Sequence, residues 1–163
     1  MFPAMHGDRL LAPNVYPVTP QPSTEITIRT RERLDFVDLT DELASRVEAA
    51  GIRNGIAHLQ TCHTTTAVLL NENEPLLLGD LRRMLERLVP EHAAYAHDDI
   101  HRRGCPPEEP RNGAAHCRAA LLPSSQCVAI RHGRLALGRW QSLLLVELDG
   151  PRERQLRLTL MRT

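Results

Sequence analysis

Aromatic residues are almost absent from this sequence, which holds one Trp, two Tyr and two Phe in 163 residues. Platforms for stacking nucleobases are therefore not expected. Net charge is missing too. Twenty Lys and Arg balance twenty Asp and Glu, so neither nucleic acid nor an anionic membrane finds a broad electrostatic footprint. No apolar run approaches the roughly 20 residues that span a bilayer. The opening Met1–Pro17 lacks the basic-then-apolar order of a secretory signal. The four cysteines, Cys62, Cys105, Cys117 and Cys127, form no CxxC pair and no dense framework, so free thiols in a reducing, cytoplasmic setting are expected. The Walker loop, the Rossmann glycine pattern, Gly-x-Ser-x-Gly and HExxH are all absent.

What is present is a globular composition, 42% hydrophobic and 25% charged, in a chain long enough for one core and too short for two ordinary domains. Pro3, Pro13, Pro17, Pro20 and Pro22 crowd the start, which predicts an extended arm over residues 1–23 and a single domain over 24–163. Alternation at Ile26 and Ile28 predicts a first strand from Thr24, with a second over Leu34–Leu39. Thr40 is placed to cap a helix from Asp41 to Ala50 that Gly51 ends. Strands are expected over Gly55–Thr61 and Ala67–Leu70. Pro75 starts the best helix, with Leu77, Leu78, Leu81, Met84, Leu85 and Leu88 on one face and Pro90 as its stop. Ala114–Leu122 reads as a short helix. Gln126–Arg131, a short piece near Leu135, Gln141–Leu148 and Gln155–Met161 read as strands, the third as a central one. Antiparallel hairpins with a few helices make an α+β fold.

Chemistry-bearing residues gather in polar segments. His63 precedes three threonines between two strands, where it is either a functional group or a histidine bonded to backbone. His97 and His101 lie in the run Tyr95–His101 within residues 91–113, a stretch too long and too rich in Pro, Gly and His for a plain connector. Neutral imidazoles ligate zinc and similar ions and carboxylates suit magnesium, yet the same cluster reads equally as a solvated loop. Neighbours on a helix or strand point apart, so Cys62–His63 and His116–Cys117 are poor ligand pairs. Asn71–Glu74 reads as a capping segment or as a source of acid/base groups. Arg139 and Gln141 flank Trp140, which is more often core than ligand stacker.

Taken in order, His63-Thr64-Thr65, Asn71-Glu72-Asn73, Tyr95-x-His97-Asp98-Asp99, Asn112-Gly113-x-Ala115-His116, Gly133-Arg134-Leu135-Ala136-Leu137-Gly138-x-Trp140-Gln141 and Glu147-x-Asp149-Gly150-Pro151-Arg152 resemble the YjbQ family. Its members are often named secondary thiamine-phosphate synthase enzymes. The resemblance runs from about Thr24 to Thr163. It implies a largely antiparallel β-sandwich with a few helices, assembled as a homotrimer. It also implies a weak activity that joins hydroxymethylpyrimidine diphosphate to thiazole phosphate. His63, His97, Asp98, Glu72 and Gln141 become the expected catalytic residues, and Asn73, Ser125, Arg134, Arg139 and Trp140 the expected contacts to a small phosphorylated substrate. His63, His97 and His116 are the expected ligands of a divalent ion, zinc or magnesium. The alternative is a non-catalytic protein that binds a metal or metabolite in the same pocket. Two departures from the family pattern stand out: Ala114, where relatives commonly carry a further histidine, and Arg139, where most carry threonine.

Overall fold

The computed structural model describes residues 23–163, so the arm expected over residues 1–23 lies outside the described residues except for Ser23. Eight strands form two antiparallel sheets. The larger sheet has the order β1 (Ser23–Arg29), β8 (Glu153–Arg162), β3 (Gly55–Thr61), β5 (Ser125–Arg131), β6 (Arg134–Leu135). The smaller has β7 (Ser142–Glu147) between β2 (Asp35–Asp38) and β4 (Thr66–Asn71). Helices α1 (Thr40–Ala49), α2 (Pro75–Leu88), α3 (Ile100–Arg103) and α4 (Gly113–Ala119) complete the chain, with a 3-10 turn at Ala96–Asp98. This is the α+β arrangement the hairpin pattern predicts.

Alternating strands place one face inward. Ile26, Leu156, Leu158, Leu160, Ala57, Leu59, Val128 and Ile130 from the larger sheet meet Val68, Leu143 and Leu145 from the smaller, with Leu43 and Val47 of α1 joining them. The β7 run is buried on both faces, because Val146 and Leu148 pack on the other side against Ala67, Leu85 of α2 and Ala115 of α4. A strand covered twice needs a nearly continuous apolar run, which is the reading its sequence gives.

Helix α1 begins one residue before its predicted start. Asp38, not Thr40, serves its first turn, accepting the Thr40 N–H at 2.8 Å. The Thr40 hydroxyl instead accepts the Leu143 N–H at 2.9 Å, joining α1 to the start of β7. Glu74 caps α2 through the N–H groups of Leu76 and Leu77, and Pro75 stands in its first turn as expected. No described helix is long and apolar enough to cross a membrane.

Candidate functional site

Strand β7 carries charge out of the core at its C-terminal end. Glu147 is 0% exposed, and a bare carboxylate there would be costly, so it is saturated. Arg154 of β8 donates to both of its oxygens at 2.6 Å. Thr30 donates at 3.0 Å, and the N–H groups of Leu148 and Asp149 at 2.9 and 2.8 Å. Burial works to raise the Glu147 pKa, but the Arg154 hydrogen bonds and the backbone donors outweigh it and hold the carboxyl below its usual range. This cluster fixes the β7–β8 turn. Gly150 is needed there, since a Cβ would sit 2.4 Å from the Glu32 carbonyl oxygen and 2.7 Å from Glu147 Cγ.

The turn presents Asp149, itself buried. Asp149 accepts from Asn112 Nδ2 at 2.8 Å and from Arg152 Nη2 at 2.9 Å. Asn112 therefore leaves the first turn of α4 uncapped by its own side chain. Asp98 takes over that task, accepting the Gly113 N–H at 2.8 Å. The approach is close: a Cβ on Gly113 would lie 2.5 Å from Tyr95 Cβ, so only glycine lets the 95–98 segment settle on α4. The result is a pair of imidazoles. His97 and His116 meet edge to face with ring centroids 4.6 Å apart. Burial lowers the His116 pKa, His97 and Arg103 lower it further, and Asp149 and Asp98 oppose them.

His63 stands at the other side of the same turn. Its Nε2 accepts the backbone N–H of Gln155 at 2.8 Å. Burial lowers its pKa, as do the charges of Arg154 and Arg152, with Glu147 opposing. Arg152, which feels both Asp149 and His63, links the two histidine groups into one belt around the turn. Ser125 belongs to this end of the fold as well, since it opens β5 opposite Gln60, three residues before His63.

Other expected site residues stand elsewhere. β4 runs antiparallel to β7, so His63 precedes the strand end beside Glu147, while Glu72 and Asn73 follow the end beside Ser142. The length of a six-residue strand, roughly 17–20 Å, separates the two ends. At the far end Asn73 donates to Asp38 at 2.9 Å, which ties the β4–α2 connection to the β2–α1 connection. Gln141 closes its own turn by accepting the Gly138 N–H at 2.7 Å. Trp140 is 62% exposed, not core, and the Arg139 guanidinium lies 4.7 Å from its ring centroid. Arg134 is with neither group. It lines a cavity of about 750 Å³ between α1 and the β5–β6 turn, together with Thr40, Glu48, Arg53 and Leu137. Ala114 is buried, so its small side chain is held inside the α4 packing.

Within one chain the described residues include no group of three or more His, Cys, Asp and Glu side chains arranged to hold a metal ion. His97 and His116 supply two imidazoles, while Asp98 and Asp149 are already engaged with Gly113, Asn112 and Arg152. Sequence reading gives no site role to Glu147, Asp149, Asn112 and Arg152, which it names only within the family motifs, and passes over Arg154. The signal for them is a carboxylate inside the apolar run Leu143–Leu148, a place where charge survives only when paired.

Residues 24–163 match the family model described as UPF0047 protein YjbQ-like. A UPF0047 protein of Methanothermobacter thermautotrophicus is 41% identical over 135 residues, covering 83% of this chain and 88% of that protein. One of Archaeoglobus fulgidus is 40% identical over 131 residues, 80% of this chain and 94% of its own length. Among solved structures, a YjbQ-like protein of unknown function from Sulfolobus solfataricus superposes with a TM-score of 0.79 at 30% identity, over 88% of this chain and 99% of that one. A hypothetical protein of Aeropyrum pernix gives 0.78, also at 30% identity, over 87% and 99%. Sequence and architecture agree along the whole domain, and the chain belongs to the YjbQ-like UPF0047 family.

Proposed function

We propose that the belt around the β7–β8 turn binds a small phosphorylated molecule and supports a weak transferase activity of the thiamine-phosphate synthase type. The observation that carries this reading is the His97–His116 pair at 4.6 Å, with Arg103 beside it, Asp98 and Asp149 bracing it, and Arg152 on Asp149. Imidazole N–H groups and guanidinium groups are suited to phosphate oxygens. In the reaction implied by the family resemblance, the bond between the pyrimidine methylene carbon and the diphosphate oxygen breaks. The thiazole nitrogen forms a new bond to that carbon, and diphosphate leaves with the bonding electrons. The residues would bind and orient the diphosphate and hold a proton near the departing oxygen.

The experiment is product formation from the two precursors, compared between the unaltered chain and His116→Ala. The expected loss is about 100-fold, the scale of a positioned acid–base group. Full activity in the variant removes the belt from the reaction.

A second reading, a non-catalytic protein that binds a phosphorylated metabolite at the same place, is favoured by one observation. Both carboxylates beside the histidines are taken up in hydrogen bonds that hold the protein together, which leaves them ill-suited to act as bases. Binding of phosphorylated compounds without turnover would select it.

A further inference from the structure

Antiparallel strands exchange hydrogen bonds in reciprocal pairs. Where β3 runs out, only half of such a pair is made by backbone. Cys62 donates its N–H to the Gln155 carbonyl at 3.0 Å. The returning N–H of Gln155 goes to His63 Nε2 at 2.8 Å. An imidazole thus stands where a strand carbonyl would be.

A backbone N–H is always a donor, so Nε2 must present its lone pair and carry no proton. In a neutral ring the single proton then sits on Nδ1. Arg152 places its Nε and Nη2 on Asp149, and among the described residues its Nη1 makes no hydrogen bond to protein. An N–H donor with a guanidinium nearby is a setting for oxygen anions, not for a cation.

We infer that His63 meets its ligand through Nδ1–H, donating to a phosphate oxygen, and that its Nε2 belongs to the sheet and not to a metal. The inference rests on the proposed phosphorylated ligand. It changes the role expected of His63 from metal ligand to anion donor.

Three variants separate the two nitrogens, because a glutamine amide reaches where Nε2 stands and an asparagine amide where Nδ1 stands. Long-range proton–nitrogen NMR of the full chain at neutral pH is expected to show His63 as the Nδ1–H tautomer. An Nε2–H tautomer, or an even mixture, overturns the inference without touching the proposed function. With inorganic diphosphate as probe, His63→Gln is expected to keep its melting temperature and to bind at least about tenfold more weakly. His63→Asn is expected to melt lower than His63→Gln while keeping more of the diphosphate affinity, and His63→Ala to lose both. Equal diphosphate binding by His63→Gln and the unaltered chain overturns the inference. So does a tenfold or greater loss of zinc affinity in His63→Gln, which would make the imidazole a metal ligand and not an anion donor. Failure of the unaltered chain to bind diphosphate overturns both this inference and the phosphorylated-ligand reading.

Discussion

Single residues decide how this fold tolerates charge. Arg118 is 1% exposed and reaches the Val89 carbonyl at 2.9 Å and Glu91 at 3.1 Å, with Glu86 as a further partner. Glu147 and Arg154 form the deeper pair. Removing the guanidinium in Arg154→Ala leaves a buried carboxylate with only the Thr30 hydroxyl and two backbone N–H groups as donors. The expected cost is about 3–5 kcal/mol, read from urea unfolding. Protons act on the same belt. His63 and His116 both have folded pKa values below the usual 6.5, so around pH 6 the folded chain binds fewer protons than the unfolded one. Their stabilising effect is complete above about pH 6.5 and declines as pH falls through that value. Glu147 adds a second loss at lower pH, below its usual 4.5. Melting temperature measured from pH 8 to 5 is expected to fall at the acid end, and His63→Gln to fall less steeply.

At the scale of elements, the legible parts were those whose burial repeats. Leu156, Leu158 and Leu160 alternate, the β7 run is continuous, and α2 carries a leucine face from Pro75 to Leu88, so strand and helix periods identify them. The family motifs brought His97 and His116 together on paper. Periodicity alone did not, because residues 91–113 have no apolar repeat and their order comes from contacts made elsewhere: Tyr95 on the Pro90 carbonyl at 2.6 Å, Asp98 on Gly113, Asn112 on Asp149. Nor does sequence order reveal that Glu72, Asn73 and Gln141 emerge at the opposite end of the smaller sheet from His63. That follows from pairing direction, which requires knowing that β4 lies beside β7. Gly113 tests the assembly of the histidine pair. Gly113→Ala is expected to push the 95–98 segment off α4, costing about 1–3 kcal/mol by the strain of overpacking. Calorimetry gives the cost, and histidine NMR should show His97 and His116 no longer in ring contact.

Apart from Arg134, which lines the 750 Å³ cavity, the expected site residues of the whole molecule fall in two groups. A homotrimer, the assembly the family resemblance implies, offers a means of bringing the end of one subunit bearing His97 and His116 against the end of another bearing Trp140 and Gln141. The mass expected in solution is three times 18.3 kDa, measured by light scattering. If the groups meet between subunits, inactive His116→Ala and Gln141→Ala chains should regain part of their activity when refolded together. A monomer, or no regain, confines the site to the belt around one turn.

The imidazole that completes the β3–β8 rung makes one amide hydrogen a sentinel. Exchange of the Gln155 N–H with deuterated water requires that His63 let go, so its rate tracks the posture of the ring. A ligand that gripped the opposite nitrogen would hold the ring still and slow this one amide, leaving the middle of β8 unchanged. Occupancy of the site could then be followed by a single backbone signal, before any substrate is known.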